Sequence, residues 1–492
     1  MDLINNRIQK NVKKIHLIAV CGTAMGALAC MLSDLGFAVT GSDKNVYPPM
    51  SLFLEKKGIV LFDGFDKKNL EYSPDLVVVG NAVSRDNSEV KAMLEMGIDY
   101  CSMPQGVNRF ICSGKKRLVV AGTHGKTTTS AILATILHQA GKENEKWDPS
   151  FVIGGILKKF GQNYRLGKGE YVVLEGDEYD TAFFDKGAKF FHYAPFLAIL
   201  LNVEFDHADI FRDLDHVKNT FKVFLSGILK ENFLCAFDDD EIIAEIIDSA
   251  QCSVERYGEK KNSPWYIADI LTDVLDSNSA NTPWTFFTVF KKGEIFGNFK
   301  TRMLGKHNLI NGLAAIAAAD KIKIPLHLIQ KGIETFEGVK RRQEVRGIKN
   351  GVMVMDDFAH HPTAVKETIK AVKPLCPENR LIVVFEPRTN TSMRRIFQDI
   401  YPVSFDKADL IYIREPSLLA KIPFSQRFSS RQLVADLKKN QYKACYFENT
   451  ESIIDHVVSK ALPGDIVLVM SNGGFDNIHE RLLNALKEKG EG

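Results

Sequence analysis

The strongest chemical signal in the 492-residue chain is the string Gly122-Thr123-His124-Gly125-Lys126-Thr127-Thr128. The strand-forming run Arg117 to Ala121 precedes it, and a helical pattern from Lys126 to Gln139 follows. A strand, a glycine loop and a helix N-terminus in succession aim backbone N–H groups at an anion, with a lysine ammonium beside it. That geometry suits a nucleotide: Lys126 would neutralise β- and γ-phosphate oxygens, and the Thr127 hydroxyl would ligate a bridging magnesium. The loop is shorter than G-x-x-x-x-G-K-[ST], because Val120 stands where the first glycine belongs. A plain turn is the competing reading, and the strand before and helix after argue against it.

Two further strings follow strand-like runs, so they would reach the C-terminal edge of a sheet, where α/β proteins bind ligands. In Glu175-Gly176-Asp177-Glu178-Tyr179-Asp180, after the run Tyr171 to Glu175, Glu175 is a candidate magnesium ligand. A solvated acidic loop is the bland alternative. In Asn202-Val203-Glu204-Phe205-Asp206-His207-Ala208-Asp209, after Leu197 to Asn202, His207 would arrive at the same edge. Converging on the phosphate loop, the two would complete a metal-assisted site, although a lone histidine is more often packed or capped.

Later strings suit substrate contacts. Asn308 and Asn311 share a helix face behind Gly305-Lys306-His307, a spacing fit for a base or ribose edge, unless Asn308 merely caps the helix. Arg341 and Arg342, in the polar stretch Gly338 to Arg346, could reach phosphate oxygens from a hinge or be a solvated linker. Asp356-Asp357-Phe358-Ala359-His360-His361-Pro362-Thr363 follows a strand, with Thr363 placed to cap the next helix. Arg388, also after a strand, could hold a carboxylate bidentately. Near the N-terminus, Gly22 and Gly26 with Asp43 form a degraded dinucleotide fingerprint, weak by itself.

The elements that must position these residues are short Val-, Ile- and Leu-rich runs alternating with helical periodicity, the pattern of parallel sheets covered by helices. Strands are predicted at Ile15 to Val20, Phe37 to Thr40 and Leu76 to Val79, with helices at Met25 to Leu35 and Asn87 to Glu95. The longest block continues past the loop to strands at Trp284 to Phe290 and Phe296 to Arg302 and a helix from Asn308 to Ala319. The last block has strands at Val352 to Asp356, Leu381 to Phe385, Leu410 to Ile413 and Ile466 to Met470. Gly141 to Pro149 reads as an exposed loop.

Length suggests about three domains of ordinary size. With 63 basic against 61 acidic side chains and 45% hydrophobic residues, the composition gives no sign of a nucleic-acid binder or a disordered tail. The longest apolar run, Phe196 to Leu201, is too short to span a bilayer, and Met1 to Lys14 is too polar for a signal peptide. A cytoplasmic protein with no membrane association and no obligate protein partner is expected. The eight scattered cysteines, without Cys-x-x-Cys spacing, read as reduced and mostly buried thiols.

Taken together, Gly122 to Thr129, Glu175 to Asp180, Asn202 to Asp209, His307 to Asn311, Gly338 to Arg342 and Asp356 to Pro362 resemble, in order and spacing, the signature of the Mur ligase family. The resemblance covers nearly the whole chain. It implies an α/β protein of three domains: 1–112, Rossmann-like, holding a UDP substrate; 113–340, a P-loop ATPase-type domain with a mostly parallel sheet, holding ATP and Mg2+; and 341–492, Rossmann-like, presenting a peptide. It puts Gly122, Thr123, His124, Gly125, Lys126, Thr127 and Thr128, with His307, Asn308 and Asn311, on the nucleotide. Thr127, Glu175 and His207 fall on magnesium, and Lys126, Glu175, His207 and Arg342 form the catalytic set. Gly22, Thr23, Met25, Ser42, Asp43, Asn81, Ala82, His361 and Arg388 fall to substrate.

The implied reaction phosphorylates the carboxylate of UDP-N-acetylmuramate with ATP, and an amine of the incoming acceptor attacks the acyl phosphate. Cys21 to Gly26, Tyr47 to Met50, Gly80 to Ala82, Phe151 to Gly155 and Ser471 to Phe475 look most like the branch whose acceptor is the murein peptide L-alanyl-γ-D-glutamyl-meso-diaminopimelate. Its rivals are the branch that adds L-alanine and, from another class, a non-catalytic nucleotide-binding scaffold. The sequence departs from the family at Gly176, where alanine is usual, and at Phe221, where some members carry a carbamylated lysine; Lys222 is adjacent, and no carbamylation is expected. An Asp-Asn-Pro-Arg string that reads diaminopimelate elsewhere in the family is absent.

Overall fold

A computed structural model describes residues 5–44, 46, 48, 50–274, 282–417 and 419–491. Tyr47 and Pro49, in the stretch Tyr47 to Met50, lie outside the described residues. Two compact units emerge: residues 1–204, 215–266 and 314–335, and residues 205–214, 267–313 and 336–492.

The first unit contains a five-stranded parallel sheet ordered Val60–Asp63, Ala38–Asp43, Lys14–Ile18, Leu76–Val79, Tyr100–Ser102. All four residues of Leu76–Val79 are buried, as a strand covered on both faces requires. The order reverses between Lys14–Ile18 and Leu76–Val79, the Rossmann-like switch point where a ligand crevice forms. Seven strands of a second sheet run here in the order Ser253–Tyr257, Phe233–Phe237, Leu197–Leu200, Lys116–Ala121, Tyr171–Gly176, Ser150–Leu157, Gln162–Arg165. The pairings among these seven are parallel except the last, which is antiparallel. Helix Lys126–Gly141 follows the central strand, and helix Leu326–Glu334 lies so close that a Cβ on Gly332 would sit 2.5 Å from Ile136 Cα.

The second unit is built on strands ordered Glu344–Lys349, Val352–Asp357, Ile466–Met470, Leu381–Phe385, Leu410–Arg414, Ala444–Phe447, parallel apart from the first. Alternate residues face two cores, with Met353, Met355, Val383 and Phe385 on one side and Val354, Ile382, Val384 and Val469 on the other. The hairpin Thr285–Lys291 and Glu294–Thr301 also belongs here.

The structure corrects several sequence expectations. The stretch Gly338 to Arg346 is not all hinge: Glu344–Lys349 pairs antiparallel with Val352–Asp357, and the turn before it holds Gly338, Arg341 and Gln343 at positive φ. Gly141 to Pro149 is not simply an exposed loop, because Glu145–Trp147 forms a short helical turn that buries the Trp147 indole. The strand expected to reach Asn202 ends at Leu200, which frees Asn202 to bond the phosphate loop. All eight cysteines are free thiols. Among the described residues no helix is long and apolar enough to cross a membrane.

Candidate active site

Strand Lys116–Ala121 delivers the loop between two parallel neighbours, with Ala121 level with Leu200 on one side and Val120 level with Glu175 on the other. Gly122 at φ 137° and Gly125 at φ 83° adopt conformations that side chains disfavour, and a Cβ on Gly122 would press within 3.0 Å of the Asn202 carbonyl. Asn202 clamps the loop from the adjoining strand end. Its carbonyl accepts from Thr123 N–H at 3.0 Å, its Oδ1 from His124 N–H at 2.8 Å, and its Nδ2 donates to His124 O at 3.1 Å. Thr123 Oγ1 is tied to Glu204 at both its N–H (2.8 Å) and its carbonyl (3.2 Å).

Gly125 precedes the first helical residue, so the axis of Lys126–Gly141 and its free N–H groups point at the loop. Lys126 folds back across it, donating to Gly122 O at 2.6 Å and pairing with Glu178 Oε2 at 2.8 Å. Burial opposes its charge, yet the Glu178 and Asp177 carboxylates hold the ammonium pKa above the ordinary lysine value.

Glu175, on the other strand end, accepts hydrogen bonds from the Thr127 hydroxyl and the Gly154 N–H. Burial, then the charge of Asp177, raises its pKa above the usual carboxylate value. Its Oε1 is shut off from water with no hydrogen-bond partner. A Cβ on Gly154 would lie 2.6 Å from Glu175 Oε2, so that glycine is what lets the carboxylate in. An unpartnered carboxylate oxygen beside a threonine hydroxyl is an oxygen set that fits magnesium. Asp177 pairs with Lys189 at 3.0 Å, and although burial opposes its charge, Lys189 and Lys126 keep its pKa below the usual value. Gly176, where the family favours alanine, lies against Val119: a Cβ there would stand 2.8 Å from Val119 Cγ1.

The structure brings Gly122 to Thr128 together with Glu175 in the first unit, while His207 belongs to the second. His207 takes a left-handed φ of 52°, with its N–H on Asp206 Oδ1 at 2.7 Å. Burial works against the Asp206 charge, but His207, His360 and His361 surround the carboxylate and depress its pKa. His361 caps helix Pro362–Val372 through Nδ1 and meets Phe205 O through Nε2 at 3.3 Å. The cap is therefore His361, where Thr363 was expected.

Helix Lys306–Lys321 starts ahead of Asn308, so Asn308 is not its cap. Its amide bonds Leu304 O at 2.9 Å and Gln343 Oε1 at 3.0 Å, and Asn311 reaches Asn308 Oδ1 at 3.3 Å. Burial pushes the His307 pKa down to about 4, with Lys370 adding to the effect. The Arg342 guanidinium lies over the Phe358 ring at 4.9 Å, and Arg388 lies 3.4 Å from Glu386.

In the first sheet, Gly22 and Thr23 open helix Thr23–Asp34, and Asp43 Oδ2 accepts from Cys21 N–H at 2.9 Å. Asn81 and Ala82 are exposed across the switch point. The Met25 side chain is buried, and the Ser42 hydroxyl is bonded to buried Glu89, so both side chains are engaged in packing. Lys222 faces Glu245 at 3.6 Å, while Phe221 is in the core. Sequence reasoning assigns no individual role to Asn202, Gly154 or Glu178; only the neighbouring strand order shows what each of them touches.

These features define the class: an α/β protein that offers a lysine-bearing phosphate loop and an adjacent acidic strand end at the C-terminal edge of a parallel sheet. Three family models match along the chain: the Mur ligase family, catalytic domain, over 14–114; the Mur ligase middle domain over 120–319; and the Mur ligase, glutamate ligase domain, over 341–473. The chain is 40% identical, over 97% of its length and 99% of the relative's, to the UDP-N-acetylmuramate–L-alanyl-γ-D-glutamyl-meso-2,6-diaminoheptandioate ligase of Escherichia coli K12. A UDP-N-acetylmuramate–L-alanine ligase of Acetivibrio thermocellus is 33% identical over 96% of both chains. The crystal structure of a murein peptide ligase from Psychrobacter arcticus 273-4 matches with a TM-score of 0.70 and 34% identity, covering 96% of this chain and 99% of that one. The protein belongs to the Mur ligase family.

Proposed function

We propose that the protein joins L-alanyl-γ-D-glutamyl-meso-diaminopimelate to UDP-N-acetylmuramate in the cytoplasm, forming an amide at the expense of ATP and thereby returning salvaged murein peptide to cell-wall precursors. The observation that carries the acceptor assignment is the higher identity, over nearly full length, to a relative named for the tripeptide than to one named for L-alanine.

In this reading residues 1–112 hold the UDP substrate through Gly22, Thr23, Met25, Ser42, Asp43, Asn81 and Ala82. Residues 113–340 hold ATP, and residues 341–492 present the peptide, with His361 and Arg388 among its contacts. The loop N–H groups and Lys126 cradle the β- and γ-phosphates, and His307, Asn308 and Asn311 meet the nucleoside. Thr127 and Glu175 would hold Mg2+, which when bound supplies positive charge to the transferring phosphoryl group.

The muramoyl carboxylate attacks the γ-phosphorus, ADP leaves, and an acyl phosphate results. The tripeptide amine then attacks the acyl carbon, a proton is lost from nitrogen, and inorganic phosphate leaves. Lys126 stabilises the charge that builds on the transferring group, Arg342 adds a second cation, and the enclosing residues exclude water that would hydrolyse the acyl phosphate. No side-chain nucleophile is needed. ADP release measured with tripeptide and with L-alanine tests the assignment, and turnover confined to L-alanine would overturn it.

A further inference from the structure

A cavity of about 550 Å³ opens in the first unit away from the phosphate loop, with Arg117 in its wall. Arg117 stands near the start of the strand whose far end carries Gly122, so about 16 Å of extended chain separates the two. Arg7, Arg109, Arg117 and His192 line the cavity, and no carboxylate does.

Two of these cations already have counter-ions. Arg7 Nε pairs with Asp99 at 3.0 Å, and His192 Nε2 with Asp185 at 2.7 Å. Arg109 and Arg117 have no carboxylate partner among the described residues, and Arg117's contact is with the Cys112 thiol.

From this we infer a second phosphate site, distinct from the loop at 122–128, that takes a small phosphate-bearing anion between Arg109 and Arg117. Two guanidinium forks suit phosphate oxygens geometrically as well as electrostatically. The lining joins the segment before the first strand (Asn6, Arg7), the connection between the two sheets (Asn108, Arg109) and the second sheet itself (Arg117). An anion there would fasten the connection that links the two sheets.

The test is calorimetric titration of the full chain with inorganic pyrophosphate, in wild type, Lys126→Ala, Arg109→Glu and Arg117→Gln. Arg109 is exposed, so its reversal leaves the fold and the turnover at saturating substrate unchanged. Arg109→Glu is expected to remove one class of sites in both the wild-type and the Lys126→Ala background. Arg117→Gln is expected to weaken that class at least about tenfold, the worth of a charge-assisted hydrogen bond. Uridine diphosphate that displaces pyrophosphate from the site would identify a nucleoside-borne diphosphate; failure to displace it would identify a free anion, and either result keeps the site. Unchanged stoichiometry and affinity in both arginine variants would overturn the inference.

Discussion

The Lys126 ammonium lies 2.8 Å from Glu178 Oε2, and both side chains are nearly closed to water, at 11% and 3% exposure. Lys126 is thus paired with a carboxylate in the same loop region where a γ-phosphate would need it. In the proposed reaction the nucleotide takes Glu178's place as counter-ion. Glu178→Gln should therefore lower the melting temperature of the nucleotide-free protein, since breaking a buried pair costs about 3–5 kcal/mol. ATP should raise the melting temperature of this variant more than that of wild type. Differential scanning fluorimetry with and without ATP checks this, and equal ATP-induced shifts would contradict it.

Removing the ammonium itself has a different signature. Lys126→Ala should reduce kcat by about 10²- to 10³-fold, the usual effect of deleting one group that stabilises transition-state charge. The circular dichroism spectrum should not change. Activity close to wild type would remove Lys126 from the catalytic set.

The Glu175 carboxylate should make magnesium affinity depend on pH. Burial and Asp177 raise its pKa, whereas Asp177 itself stays ionised to lower pH because Lys189 and Lys126 hold it down. Magnesium binds the ionised form, so as pH falls through the raised Glu175 pKa, affinity should drop by about tenfold per pH unit. Titration of magnesium-dependent turnover across the acid range reads this slope, which should vanish in Glu175→Gln. Gly154→Ala, which puts a Cβ on the carboxylate, should weaken magnesium binding at every pH.

Gly176 offers a packing test. Gly176→Ala should destabilise the protein by about 1–3 kcal/mol through overpacking against Val119. Adding Val119→Ala should restore part of the loss, giving a favourable coupling in a double-mutant cycle. Additive losses in urea unfolding would mean that Val119 is not what excludes the alanine.

How much of this could be read from the chain depends on the distance over which each feature is determined. The loop at 122–128 was legible because its strand, glycines and helix are contiguous, and the strands Leu76–Val79, Leu381–Phe385 and Ile466–Met470 because unbroken apolar runs admit few alternatives. Tyr100–Ser102, Gln162–Arg165 and Ala444–Phe447 escaped notice because they are short strands at sheet edges, where pairing rather than pattern makes the strand. Asn202 and Gly154 were invisible as site residues for a related reason. Their importance comes from the strands that flank Lys116–Ala121, and strand order is not written in local sequence. At Gly176, where the family has alanine, the missing methyl leaves room for Val119.

In the proposed reaction this Mur ligase takes a peptide as acceptor. The most direct measurement is ADP release by the purified protein with ATP, magnesium and UDP-N-acetylmuramate, comparing L-alanyl-γ-D-glutamyl-meso-diaminopimelate with L-alanine. Rapid turnover with the tripeptide, appearance of the UDP-muramoyl tripeptide and little turnover with L-alanine are expected. Turnover with L-alanine alone would contradict the acceptor assignment, and slow ADP release unaffected by either acceptor would contradict ligation itself.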